Sequence, residues 1–522
     1  MEREAGRRAD EKGVRIMSAG VQETTVRQSD SHSSKTLRPW HKINRNLASI
    51  LNREGFVSDS KQCPPTEFVG QQPRLIDRVV NLMDPAGNIL LGTDFDTATE
   101  AVRRGDVEAV RRIGGQFAIA AVAGKTIRMA RSIGRPMRYF LAKRAEGPAL
   151  IIAERIDQIA QALESEGLAD QFEPRYTRMV PAHHILELRL VGCPDPNPTL
   201  RRYFAPPRNR LSSDIDEIGR QYIGQLAQTI DAYLDTVPGN EPIGVAFSGG
   251  IDSGSVLMVT DHLLRRRGQS PSRLKAFTLA VGEVDDGPIE TPDVVQARDF
   301  LRRIDGEMFL ETIEVPPKQI DWRLAVRAVE DYKPLDIQSA TMAMALLRGI
   351  RHRYPDWRHL IDGDGGDENL KDYPIEDNPE LTIRSVLGNR MLYQEGWGVD
   401  AVKHSLTYSG GQSRGHSRTS APAALFGFRG FSPYAVPDVI EIAEAVPFVQ
   451  MTDWDHTRLY DLKGQIVAAG VKAVTGKAMP LFEKRRFQHG ASGLRFNDLF
   501  PKDEAEYRRH YANHPLAELP LN

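Results

Sequence analysis

From residue 215 the chain falls into a repeating rhythm. Apolar residues recur at helical spacing over Ile215–Leu234 (Ile218, Tyr222, Ile223, Leu226, Ile230, Tyr233), which predicts a helix with one buried stripe. Ile243–Phe247 is a short uninterrupted apolar run, the pattern of a strand covered on both faces. A Gly-rich turn and a helix from about Ser253 to Gly268 follow. The sequence then predicts strand Leu274–Val281, helix Pro292–Ile304 and strand Phe309–Val315. Strands alternating with helices indicate a parallel, doubly wound α/β sheet. Upstream the rhythm differs. Gln116–Ala123, Thr126–Arg131 and Leu150–Ala153 are short strand-like runs between turns, with few long helices, and suggest stacked sheets. Beyond Pro374 the pattern reads mostly as helices and loops.

Composition divides the chain further. Residues 1–37 are polar and rich in Arg, Glu, Ser and Gln, a mixture that cannot offset the entropy of ordering, and read as a flexible tail. Five prolines in the eighteen residues Cys193–Arg210 preclude a long regular element there. The expected domains are therefore 38–205 and 206–522. With 68 Lys and Arg against 70 Asp and Glu, the net charge of -2 argues against a nucleic-acid partner. No apolar stretch approaches the ~18 residues of a membrane span, and the amino-terminal segment lacks the apolar centre of a secretory signal. Only Cys63 and Cys193 occur, too few for a disulfide framework or a zinc site of their own. A cytoplasmic protein is expected, and a homo-oligomer is compatible with the sequence.

Three motifs carry candidate chemistry. Ser248-Gly249-Gly250-Ile251-Asp252-Ser253 lies between a predicted strand and a predicted helix. Glycines let a backbone approach an anion closely, and a helix start adds free N–H groups and a favourable dipole. A carboxylate beside phosphates repels them unless a cation intervenes, so Asp252 implies magnesium. A capped Gly-rich turn with no ligand is the plain alternative, which the strand–turn–helix setting disfavours. The second motif, Asp362-Gly363-Asp364-Gly365-Gly366-Asp367-Glu368, packs four carboxylates into seven residues, and something positive must hold them unless they face water as an acidic turn. The third is Glu483-Lys484-Arg485-Arg486-Phe487-Gln488-His489-Gly490. A solvated basic face is the ordinary reading of such a run. A lysine reaching phosphate or a developing oxyanion is the functional one.

Together, Ser248–Ser253, Asp362–Glu368 and the Lys-x-x-Phe-Gln-x-Gly stretch resemble the asparagine synthetase superfamily, which includes the β-lactam, carbapenam and lasso-peptide macrolactam synthetases. Ile113–Ala118 and Arg135–Phe140 are similar to that family's glutaminase-like half. The resemblance implies an N-terminal-nucleophile-hydrolase-like αββα domain, then an ATP pyrophosphatase domain with a helical carboxyl-terminal part. It implies that Ser248, Gly249, Gly250, Asp252 and Ser253 bind ATP as the pyrophosphate loop. It also makes Asp252 and Asp367 the Mg²⁺ ligands, and Leu279, Asp362 and Gly363 adenine-contacting positions. Lys484, six residues before Gly490, matches the family's catalytic lysine, and Lys484 thereby also meets pyrophosphate. Asp364 stands where relatives have Glu or Tyr and is the candidate base.

Two departures stand out. Glutamine-dependent members carry a nucleophilic cysteine after the initiator methionine, where this sequence has Glu2, and the glutamine-binding motif is missing. The amino-terminal domain thus reads as a degenerate scaffold. Asn369-Leu370-Lys371-Asp372-Tyr373 replaces the usual Leu-Phe-Gly-Gly-Tyr, which suggests altered acceptor specificity. The expected activity is AMP-forming amide synthesis from a carboxylate and an amine or ammonia. Ammonia-dependent asparagine formation, intramolecular lactam closure and a silent nucleotide-binding scaffold are the alternatives. The other conspicuous residues take ordinary readings: His183 and His184, in an apolar strand-like run, are expected in core or edge packing, Arg265–Arg267 at a helix end where cations suit the dipole, and Gly410–Arg418 in a flexible loop flanking the site.

Overall fold

The computed structural model describes residues 74–513 apart from 77, 143–147, 174–175, 194–195, 284–286, 373–374, 376–381, 389–418, 484–486 and 493–495. The expected tail 1–37, the loop Gly410–Arg418 and Lys484 lie outside the described residues. The described residues belong to one compact unit, within which two separate architectures are visible.

The first is a four-layer sandwich. One sheet orders Thr199–Arg202, His184–Arg189, Thr126–Arg131 and Ala118–Ala123, and all its pairs are antiparallel. The other orders Arg78–Asn81, Ala149–Ala153, Arg138–Ala142 and Arg178–Met179. Alternation along the strands gives each sheet two apolar faces. Ile127, Met129, Leu186 and Leu188 of the first sheet meet Tyr139, Leu150 and Ile152 of the second. Their opposite faces bury helix Phe95–Arg104 through Ala98 and Val102, and helix Ile156–Ser165 through Ile159 and Leu163. The order is helix, sheet, sheet, helix. The run Gln116–Ala123 is interrupted at Phe117, giving strands Gly114–Gln116 and Ala118–Ala123. His183 is fully buried against Tyr203 and Phe204, so its place is in the core.

The second architecture is the expected doubly wound body. Helix α1 (Ile215–Asp235) starts on Asp214, whose carboxylate accepts from the N–H groups of Asp216 and Glu217. Strand β1 (Ile243–Ala246), helix α2 (Ile251–Arg266), strand β2 (Leu274–Val281), helix α3 (Pro292–Arg303) and strand β3 (Leu310–Val315) follow the predicted rhythm. Helix α4 (Pro334–Arg353) leads to strand β4 (His359–Ile361). The carboxyl-terminal part adds one strand that the pattern did not signal, β5 (Arg429–Phe431), then helices α5 (Pro437–Glu444) and α6 (Arg458–Thr475). The sheet runs β3-β2-β1-β4-β5, with every pair parallel. One face is covered by α1, α2 and α6, and the other by α4 and helix Trp322–Val329. Among the described residues, no helix is long and apolar enough to cross a membrane.

Candidate functional site

The strand order reverses around β1, and the two loops that leave β1 and β4 meet there. This is the crevice where open parallel sheets bind ligands. The first loop is held on three sides. Ser248 N–H donates to Ser253 Oγ (3.3 Å), Gly250 N–H to Ser248 Oγ (3.3 Å), and Gln296 Nε2 on α3 to the Ser248 carbonyl (3.3 Å). Gly249 takes φ +72 and lies against the α3 backbone, where a Cβ would come within 3.0 Å of Ala297 N and Cα. Only glycine meets both conditions without strain.

The acidic loop rests directly on this one. A Cβ at Gly363 would stand 2.8 Å from Ser253 N, and one at Gly366 would stand 2.2 Å from Asp252 Oδ1. Asp362 is buried and accepts the Asp364 N–H (3.0 Å), which folds the loop back on itself. Asn369 donates to Tyr222 Oη (3.2 Å) and to the Tyr434 carbonyl (2.9 Å), fixing the following turn to α1 and to the segment after β5.

Between the two loops sits a side chain that belongs to none of the three sequence motifs. Lys463 of α6 places Nζ 2.6 Å from Asp252 Oδ2, 2.5 Å from Asp367 Oδ1 and 3.5 Å from Asp372 Oδ2. The lysine side chain is 2% exposed, Asp372 6%, Asp252 21% and Asp367 40%, so the cluster opens outward past Asp367. The Asp252 carboxyl is raised to about 7: burial raises it most, Lys463 pulls it down, and Asp367 raises it further. For Lys463, burial opposes the charge, but the three acidic neighbours outweigh it and hold the ammonium well above the usual lysine range. The cluster therefore holds an ionised ammonium among carboxyl groups.

A readable signal for Lys463 was present. Leu459, Leu462, Ile466, Val467 and Gly470 form the buried stripe of α6, and Lys463 is the one charged residue within that stripe. Its helix is seated by glycines: a Cβ at Gly219 would meet Ile466 O at 2.5 Å, and one at Gly470 would meet Gly219 O at 2.2 Å. The backbones of α1 and α6 thus touch, and Lys463 is carried to the loops on a rigid support.

The donor set suits magnesium. Two hard carboxylates share one cationic group, with the outer one open for further oxygen ligands. Mg²⁺ is characteristically held by one or two carboxylates plus phosphates.

Other expected positions fall as follows. The Leu279 side chain is fully buried in the core with Phe277 and Ile313, so its side chain does not face the crevice. The departure Asn369–Tyr373 carries the expectation of altered acceptor specificity. Tyr373 lies outside the described residues; Lys371, paired with Glu444, and Asp372, facing Lys463, are both buried, so neither of these two side chains lines an open acceptor surface. Arg265, Arg266 and Arg267 end α2 in ion pairs with Asp261, Asp231 and Asp235. Gly490 presses on Asp293 of α3, so the turn just after the Lys484 segment docks on the helix that also holds Ser248.

Residues 228–425 match the family model described as asparagine synthase. The match spans both loops and ends before β5, Lys463 and Lys484. No curated protein matches the chain.

Proposed function

From the match of residues 228–425 to the asparagine synthase family model, we propose that the chain is an AMP-forming amide ligase that takes its amine without hydrolysing glutamine. The observation that carries this reading is the direct seating of the acidic loop on the phosphate loop, with Asp252 and Asp367 converging on one cation, Lys463 Nζ. A site that held nucleotide passively would not need two acidic side chains converging beside the phosphate loop.

In this reading ATP lies along Ser248–Ser253, its phosphates meeting the start of α2. Magnesium held by Asp252 and Asp367 would supply charge neutralisation for the leaving pyrophosphate. The substrate carboxylate oxygen attacks the α-phosphorus, the α–β anhydride bond breaks, and pyrophosphate leaves. An amine then attacks the acyl carbon, and the C–O bond to AMP breaks. Asp364, placed on the loop by Asp362, is the candidate to take the amine proton. Lys463 and Lys484 are the cations available to developing negative charge. The amine source is ammonia, a second substrate or an amine in the same molecule, because Cys63 and Cys193 are both internal and have no free α-amino group to act with. The sandwich then serves as a support for the ligase body.

Incubation with ATP, Mg²⁺ and a panel of amino-acid and peptide carboxylates, with and without ammonia, tests the proposal. AMP and pyrophosphate should form in equal amounts and only with an accepted carboxylate. Production of ADP and phosphate would overturn the adenylation step, and glutamate released from glutamine would overturn the amine assignment.

A further inference from the structure

Lys371-Asp372 closes the acidic loop with two buried charges that face opposite ways. Lys371 is fully buried, adopts φ +59, and pairs with Glu444 on α5. Glu444 also pairs with Arg208 (2.9 Å), whose Nη2 donates to the Leu387 carbonyl (2.5 Å). The left-handed backbone at Lys371 is one that glycine adopts freely and lysine does not. The Glu444 pair is therefore what holds the chain in that turn. Its consequence is the direction of the next residue. Asp372 N–H donates to the Asp367 carbonyl (3.0 Å), and the Asp372 carboxylate enters the cluster from its most buried side, 3.5 Å from Lys463 Nζ.

Charge counting shows what this third carboxylate changes. With the carboxyls ionised, as metal binding requires of its ligands, Asp252, Asp367 and Asp372 with Lys463 sum to two negative charges. A divalent cation taken up by Asp252 and Asp367 brings that sum to zero. Without Asp372 the same uptake would leave an ammonium and a divalent cation facing two carboxylates, with one positive charge uncompensated in a buried place. The lysine would have to leave, or the metal would bind poorly.

We infer that Asp372 is a positioning residue that retains the Lys463 ammonium when a divalent cation occupies the Asp252–Asp367 pair, so that the lysine and the metal are present together. This deepens the reading of Asp252 and Asp367 as magnesium carboxylates and rests on it. Lys463 and the metal compete for the same two oxygens, and Asp372 supplies the seat that ends the competition. Lys371, Glu444 and Arg208 keep that seat in place.

The experiment is Mn²⁺ binding to the nucleotide-free, full-length protein, read from the free-ion electron paramagnetic resonance signal, with circular dichroism as the control for folding. Asp372→Asn should weaken Mn²⁺ binding by ~10–100-fold, the usual cost of losing a residue that supports a metal site. Lys463→Met should strengthen it relative to wild type, because the competing cation is gone. The double variant, with two carboxylates and no lysine, should return to near wild-type affinity. Wild-type affinity in a folded Asp372→Asn protein, or failure of the double variant to recover, would overturn the inference. If Asp372→Asn does not fold, Lys463→Met decides alone, and unchanged or weaker Mn²⁺ binding counts against it. No ATP or acyl substrate is involved, so this pattern can hold while the ligase proposal fails, and the reverse.

Discussion

A methyl group at Gly363 would press on Ser253 N at 2.8 Å and on the Asp252 carbonyl carbon at 2.9 Å, and backbone atoms cannot swing aside as a side chain can. Gly363→Ala should therefore leave the fold intact and separate the two loops by a few tenths of an ångström. A small misplacement of this kind commonly costs on the order of 10²-fold in rate. The expected result is a pyrophosphate exchange rate lowered to that extent with a far-ultraviolet circular dichroism spectrum like wild type; an unchanged rate would show that loop contact is not needed. This residue belongs to the portion of the site that sequence made legible. Ser248–Ser253 and Asp362–Asp367 are contiguous runs whose glycines and acids have a physical reason to be together, so reading them needs no knowledge of distant contacts. The contact between Asp372 and Lys463 was hidden for the opposite reason. Asp372 stands in the Asn369–Tyr373 departure but meets a partner 91 residues further along the chain, and Lys463 itself stands in no run that looks unusual. A charged side chain in the apolar stripe of α6 was the only sign, and it marks the residue without naming its partners.

At the scale of elements, the α1–α6 contact decides where Lys463 can reach. Gly470 faces the Gly219 carbonyl so closely that an added Cβ would stand 2.2 Å from it, with Ile223 at 2.5 Å on the same side. Gly470→Ala should push α6 outward and cost ~1–3 kcal/mol, the usual range for overpacking a close contact. Urea denaturation checks the loss, and Mn²⁺ binding should change with it, since α6 carries Lys463. A stability within ~0.5 kcal/mol of wild type, in the range of an ordinary surface substitution, would count against a rigid support. Periodicity located α1 to α3 and β1 to β3 within a residue or two, because long amphipathic helices and runs of buried apolar residues each write a clear pattern. It did not reveal β5. Arg429-Gly430-Phe431 is only three residues long, contains a glycine, and becomes a strand through its pairing with β4 at the edge of the sheet. Tertiary pairing overrides local preference in so short a segment.

At the scale of the whole molecule, the question is what joins the sandwich to the ligase body. Arg111 reaches Asp438 (2.9 Å) and Glu441 (2.8 Å), but these pairs are a quarter to a half exposed and are worth ~0–1 kcal/mol each. Beside apolar clusters such as those that hold Ile440 with Val102 and Ala435 with Ile133, the junction has a buried ion pair, built around Glu330. It ends helix Trp322–Val329 at φ +53, accepts the Ile156 N–H (2.7 Å) through one oxygen, and pairs with Arg138 of the sandwich (2.9 Å) through the other. Arg138 is 2% exposed and Glu330 5%, while Arg155 beside them donates to the carbonyls of Ala328 (2.8 Å) and Arg327 (3.1 Å). Glu330→Gln keeps an oxygen for the Ile156 N–H but leaves the Arg138 charge buried without its carboxylate. Breaking a buried pair on one side costs ~3–5 kcal/mol, far beyond any exposed pair. Scanning calorimetry of the full chain should therefore show Glu330→Gln strongly destabilised and Arg111→Ala nearly unchanged. The loss falls on the junction, so the sandwich should unfold ahead of the ligase body, and the single transition should broaden or divide. Equal effects from the two substitutions would mean that the exposed pairs hold the parts together and that the Glu330 junction does not.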